Sequence, residues 1–96
     1  MRHTDEEKEF FEGILCLKTP DECMKFFEDV CTINEIQAIS QRLRVAKLLD
    51  AGLNYNEVCK ETGASSATIS RVNRCLNYGS DGYKIVLKRM GGGGND

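Results

Sequence analysis

The stretch NYNEVCKETGASSATISRVNRCL, residues 54–76, decides how this chain folds. Asn54 followed by Glu57 is a capping box that opens a short helix, YNEVCKET. Gly63 ends that helix, because glycine enters the left-handed backbone of a helix C-terminus at little steric cost. A second helix follows at once. At about 100° per residue, Ile69, Val72 and Leu76 fall on one of its faces and Ala67, Ser70 and Arg74 on the opposite one. No acidic residue stands between Gly63 and Leu76.

Two short helices joined at a glycine turn have the dimensions of a helix-turn-helix, whose second helix can lie in a DNA major groove. Val58, Cys59 and Ala64 supply the small and apolar residues such a crossing needs, and Ile69, Val72 and Leu76 clamp it from the other side. Short outward side chains let the backbone approach base edges, and the lack of acids avoids repulsion by phosphates. The candidate DNA contacts are Asn56, Lys60, Ser65, Ser66, Ala67, Ser70, Arg71 and Arg74, with Arg42 and Arg44 upstream. Ser65 and Ser66 offer backbone and hydroxyl donors at the helix start, and the five cations supply electrostatic grip. A solvated polar face on a small helical bundle is the plain alternative.

Working outward, apolar residues recur at three and four, so the fold class is all-α, with six helices. Upstream, Thr32 and Glu35 of TINE form another capping box and open the longest helix, which runs to Gly52 with Ile36, Ile39, Leu43, Ala46 and Leu49 as its stripe. Before it, Thr19, Pro20 and Glu22 start a helix that turns Cys23, Phe26, Phe27 and Val30 inward. Phe10, Ile14 and Leu17, beside Phe11 and Leu15, mark a first helix of about three turns. Downstream, NYGSDG breaks the chain, Ser80 or Asp81 caps a last helix, YKIVLKRM, and the glycines of GGGGND have no side chains to pack. The expected organisation is one helical domain over 1–90. It comprises acidic helices over 1–31, a central helix over 32–52, the helix-turn-helix over 54–77, a last helix over 80–90 and a disordered tail over 91–96.

A chain of 96 residues buries only roughly 60 to 65% of its unfolded surface, so oligomerisation is expected to thicken the core. Residues 1–31 hold 4 Lys/Arg against 9 Asp/Glu, a balance of −5, whereas residues 32–90 hold 9 against 5, a balance of +4. A polyanion-binding surface confined to the back half fits that division. No apolar run approaches the ~20 residues of a membrane span, and the acidic start MRHTDEEKEFFEG lacks the pattern of an export signal, so a cytoplasmic protein is expected. Cys16, Cys23, Cys31, Cys59 and Cys75 contain no C-x-x-C pair and His3 is the lone histidine, so the cysteines read as small packing residues of a reducing compartment and no metal is expected. There is no glycine-rich phosphate loop, no catalytic pair of carboxylates and no base placed for Cys59 or Cys75, so the chain reads as a non-enzyme.

The residues from Thr32 to Leu76 resemble the Trp repressor family. TINEIQAISQRLRVAKLLDAG is similar to its long central helix and NEVCKETGASSATISR to its helix-turn-helix, and TGASSATISRVNRCLNYG is closer still to the related proteins of the YerC/YecD type. The resemblance implies an intertwined homodimer, in which the first helices of both subunits interleave with the last, that reads a roughly palindromic double-stranded operator with half-sites about 34 Å apart. It implies a DNA-binding transcriptional regulator, repressor-like, without a cofactor, possessing an effector pocket for a small ligand such as an amino acid. The implied lining is Thr32, Arg42, Val45, Thr68, Arg71, Val72 and Cys75, with Arg42 beneath an indole ring and Arg71 on a carboxylate. Val72 stands where the family has glycine, and Cys75 where it has serine, a better hydrogen-bond partner. Tryptophan, another small ligand or none all stay open. So do two other functions: a protein-interaction module with a structural helix-turn-helix, and a replication-initiator-like DNA binder.

Overall fold

The computed structural model describes residues 2–91, and among them it contains six α-helices and no strand. They are α1 (Asp5–Ile14), α2 (Pro20–Val30), α3 (Ile33–Asp50), α4 (Tyr55–Thr62), α5 (Ser66–Tyr78) and α6 (Gly82–Arg89). The residues fall into two compact units, one up to Ile36 and one from Gln37 onward.

In the first unit, α1 opens on a capping box the sequence reading passed over. The Glu7 N–H donates to Thr4 Oγ1 at 3.1 Å and the Thr4 N–H to Glu7 Oε1 at 2.8 Å. That backbone donor is the main reason the Glu7 carboxyl is held below its usual range. The helix stops at Ile14, short of Leu17, because Cys16 and Leu17 donate to carbonyls three residues back and tighten the last turn. Phe10 stacks on Phe26 at 5.9 Å between centroids and meets Phe27 edge to face at 6.4 Å, so the α1–α2 contact is an aromatic cluster. No residue of α1 or α2 is fully buried, and Val30, expected inward, is exposed as the last residue of its helix.

The second unit holds the core. Val45, Ala46, Val58, Ala64, Ile69, Val72, Leu76 and Leu87 are buried together, with Leu43, Leu48, Leu49, Leu53 and Tyr83 packed around them. Each fully buried Ile or Val contributes about 1.5–3 kcal/mol. The end of α3 matches expectation: Gly52 is left-handed at φ 98°, its N–H donates to the Leu49 carbonyl and that of Leu53 to Leu48, closing the helix on a doubly bonded turn.

Three further expectations fail. Ile39 is substantially exposed within the α3 stripe. The last helix begins at Gly82, and neither Ser80 nor Asp81 caps it with a side chain. Asp81 sits in the left-handed region at φ 68°, whereas a capping oxygen reaches the next turn's amides from an extended backbone. The cysteines are not core residues either: Cys16, Cys59 and Cys75 are exposed, Cys23 and Cys31 half-buried, and all are free thiols. Of the expected tail, residues 92–96 lie outside the described residues.

Candidate nucleic-acid interface

The helix-turn-helix is built from local hydrogen bonds. Glu57 N–H donates to Asn54 Oδ1 at 2.9 Å and Asn54 N–H to Glu57 Oε1 at 2.8 Å, so the box that opens α4 is complete. Gly63 is left-handed at φ 73°, and its N–H donates to the Cys59 carbonyl at 2.8 Å. The Thr62 hydroxyl donates to the Val58 carbonyl at 2.7 Å and accepts from the Ala64 N–H at 3.1 Å. Gln41 Nε2, from α3, donates to the Thr62 carbonyl at 3.2 Å. The Ala64 N–H and the Thr62 carbonyl are thereby satisfied, and the turn is tied to the central helix.

Ser65 opens α5. Its Oγ accepts from the Thr68 N–H at 3.1 Å and donates to Thr68 Oγ1, also at 3.1 Å. The Ser65 hydroxyl thus serves the helix itself, and Ser66 is the hydroxyl presented at that end. Ile69, Val72 and Leu76 are buried, as are Val58 and Ala64 across the turn, which makes the clamp real. Cys59, expected in that clamp, is exposed, because it stands about 100° around the helix from Val58.

The opposite face is open. Ser66, Ala67, Ser70, Arg71 and Arg74 are exposed, as are Asn56, Lys60 and Arg44, and Arg42 is half-buried. Among the described residues the ion pairs are His3 with Glu7 and Lys25 with Asp21, both in the first unit. Among the described residues, Arg42, Arg44, Lys60, Arg71 and Arg74 therefore carry charge that no carboxylate neutralises, which is what a phosphate-binding face requires.

Each expected effector residue has its own local surroundings in the chain. Val45 and Val72 belong to the core, at 0% and 1% exposure. Thr32 caps α3, accepting from the Glu35 N–H at 3.1 Å, and Thr68 is tied to Ser65. Cys75 lines an open apolar groove of about 560 Å³ with Ile39, Leu43, Gly79, Tyr83 and Val86, a groove that takes none of the other six. No cluster of possible metal ligands occurs among the described residues, and none of their helices is long and apolar enough to cross a membrane.

The sequence reading missed Gln41 and Thr62. A threonine directly before the glycine of a helix end was a usable signal for the second, through back-bonding to the previous turn. Nothing in the sequence announced the first.

With this geometry in place, residues 5–91 match the Trp repressor protein family. The chain belongs to the Trp repressor family. It is 56% identical over 82 residues to the uncharacterized protein YerC of Bacillus subtilis (strain 168), covering 85% of this chain and 79% of YerC. Its fold is similar to that of a TrpR-like protein from Eubacterium eligens ATCC 27750, with a TM-score of 0.88 and 56% identity over 92% of this chain and 91% of that one. A candidate Trp repressor from Staphylococcus aureus gives a TM-score of 0.91 and 47% identity, with 97% and 93% covered. As a family member the chain is a helix-turn-helix protein of the DNA-binding regulator class, with a Trp-repressor-like all-α fold.

Proposed function

We propose that this Trp repressor family member is a cytoplasmic, sequence-specific transcriptional repressor that binds its operator as a homodimer. The observation that carries this reading is the exposed, acid-free face of α5 beside five cations without an ion-pair partner among the described residues, mounted on a turn fixed by Gln41 and Thr62. Ala67, Ser70 and Arg74 face the groove, and Lys60, Arg42, Arg44 and Arg71 contact phosphates.

The dimer is supported by apolar surface that one chain leaves uncovered. Phe11, Leu15, Met24, Val30 and Ile33 are exposed in the first unit, and Ile39, Ile85, Val86 and Met90 in the second. The helices over 1–31 are its dimerisation elements. A second copy would cover these nine side chains, and an isologous interface gives a twofold axis that matches a palindromic operator.

The test is selection of bound fragments from the genome of the source organism, followed by footprinting. Two protected half-sites about one helical turn, ~34 Å, apart are expected. Failure to retain any fragment above a random-sequence control refutes the reading.

A further inference from the structure

Gln41 lies on α3, outside the helix-turn-helix, and is half-buried. Its Nε2 donates to the Thr62 carbonyl, one of the last carbonyls of α4, which a helix leaves without a donor of its own. The N–H of the same peptide unit belongs to Gly63 and donates to the Cys59 carbonyl at 2.8 Å. Both ends of the Thr62–Gly63 peptide are therefore held, one by α4 and one by α3. Because a peptide unit is planar, these two bonds fix the direction in which the chain leaves α4 through the left-handed Gly63. Among the described residues, the other side-chain bonds of the motif join residues two to four positions apart, whereas this one spans 21.

The direction matters because α5 is a lever. Arg74 stands about 12 Å along α5 from its first residue. A tilt of about 5° at the turn would carry it about 1 Å, more than the ~0.5 Å within which a binding constellation must be held. Arg42 and Arg44 stand beside Gln41 on α3, at about 100° and 300° around the helix from it. Contacts made from both helices need α3 and α5 in one register.

We propose that Gln41 is a positioning residue for DNA recognition. Its bond to the Thr62 carbonyl aligns α5 with α3, so that Arg42 and Arg44 meet phosphates while Ala67, Ser70 and Arg74 meet base edges of the same half-site. The proposal rests on the DNA-binding reading above. It assigns sequence preference to the bond, because tilting α5 misplaces base contacts while leaving the cations free to grip any phosphate backbone.

The experiment uses the full chain, a fragment recovered by genomic selection and random-sequence DNA of the same length. The quantity read is the ratio of the two affinities. Gln41→Met keeps the side chain's length without a donor, and Gln41→Glu keeps its shape without one. Each should lower the ratio by about 3- to 10-fold, the range a neutral hydrogen bond spans. Gln41→Lys, which again offers a donor, should restore the ratio to within about 2-fold of the wild type. A ratio unchanged in both Gln41→Met and Gln41→Glu overturns the proposal and leaves the DNA-binding reading intact. So does loss in Gln41→Met with a wild-type ratio in Gln41→Glu, which would mean that shape and not donation counts. General destabilisation would lower both affinities alike and leave the ratio unmoved. A wild type that binds neither DNA overturns both readings.

A measurement on the wild type alone guards against variants that do not fold. Gln37, the chain's other glutamine, is exposed. The Gln41 side-chain amide protons should exchange with solvent more slowly than those of Gln37, and equal rates would overturn the bond on which the proposal stands.

Discussion

At the level of single residues, the chain separates groups that hold the motif from groups left free to bind. Lys60 and Arg74 belong to the second kind, exposed and without an ion-pair partner among the described residues. Replacing Lys60 by alanine should weaken binding to all DNA sequences alike and flatten its salt dependence by about one unit of slope, whereas Arg74→Ala should also relax preference at one base position, costing about 1–3 kcal/mol there. Competition binding against substituted operators at several salt concentrations distinguishes the two. Glu7 belongs to the first kind. Its carboxyl is held down chiefly by the Thr4 backbone donor, so its folded value lies below its unfolded one. The stabilisation is therefore complete above the usual glutamate range and is lost as pH falls through the depressed value. Amide exchange in the first turn of α1 should rise over that acid interval, and Glu7→Gln should remove the pH dependence. An exchange rate indifferent to Glu7 protonation would contradict the capping role. Much of this scale was legible in the sequence: Asn54, Glu57, Gly63, Ile69, Val72 and Leu76 each act through a local rule of spacing or capping. Gln41 was not legible, because its bond spans 21 positions and depends on tertiary approach.

At the level of elements, the turn between α4 and α5 is the critical join. A Cβ at Gly63 would meet nothing within 4 Å, so Gly63→Ala costs only the left-handed backbone, about 1–2 kcal/mol. For a domain of this size each 1 kcal/mol lowers Tm by about 4–8 °C, a shift that thermal unfolding followed by circular dichroism resolves. An unchanged Tm would mean the turn tolerates another backbone state. Helix starts at Thr19, Thr32, Asn54 and Ser65 all follow capping chemistry, with the side chain of each accepting from the third residue on; the first three were read from sequence as caps, whereas Ser65 was read only as a DNA contact. The start of α6 could not, since Asp81 has the right side chain in the wrong backbone region. Residue identity at Val45 and Val72 does not reveal whether a side chain stays at a surface or joins the core, and both belong to the buried cluster.

At the level of the whole molecule, eight buried apolar residues form the core among the described residues, while eleven large apolar ones among them are exposed. That imbalance was foreshadowed by chain length, and a second copy would correct it. Sedimentation equilibrium at micromolar concentration should give twice the 10.8 kDa of one chain. Ile85→Glu combined with Val86→Glu should return it to the monomer mass; a monomeric wild type would contradict the dimer. The charge division belongs to this scale too, since residues 32–90, which carry the helix-turn-helix, hold 9 Lys/Arg against 5 Asp/Glu, and among the described residues none of those cations forms an ion pair. The most direct test of that arrangement is the salt dependence of binding to a selected genomic fragment. DNA reading by this face predicts that log affinity falls linearly with log salt at a slope near −0.9 for each phosphate neutralised, and that the slope shrinks in step as Lys60, Arg71 and Arg74 are replaced. A slope near zero, or one untouched by all three replacements, would contradict it.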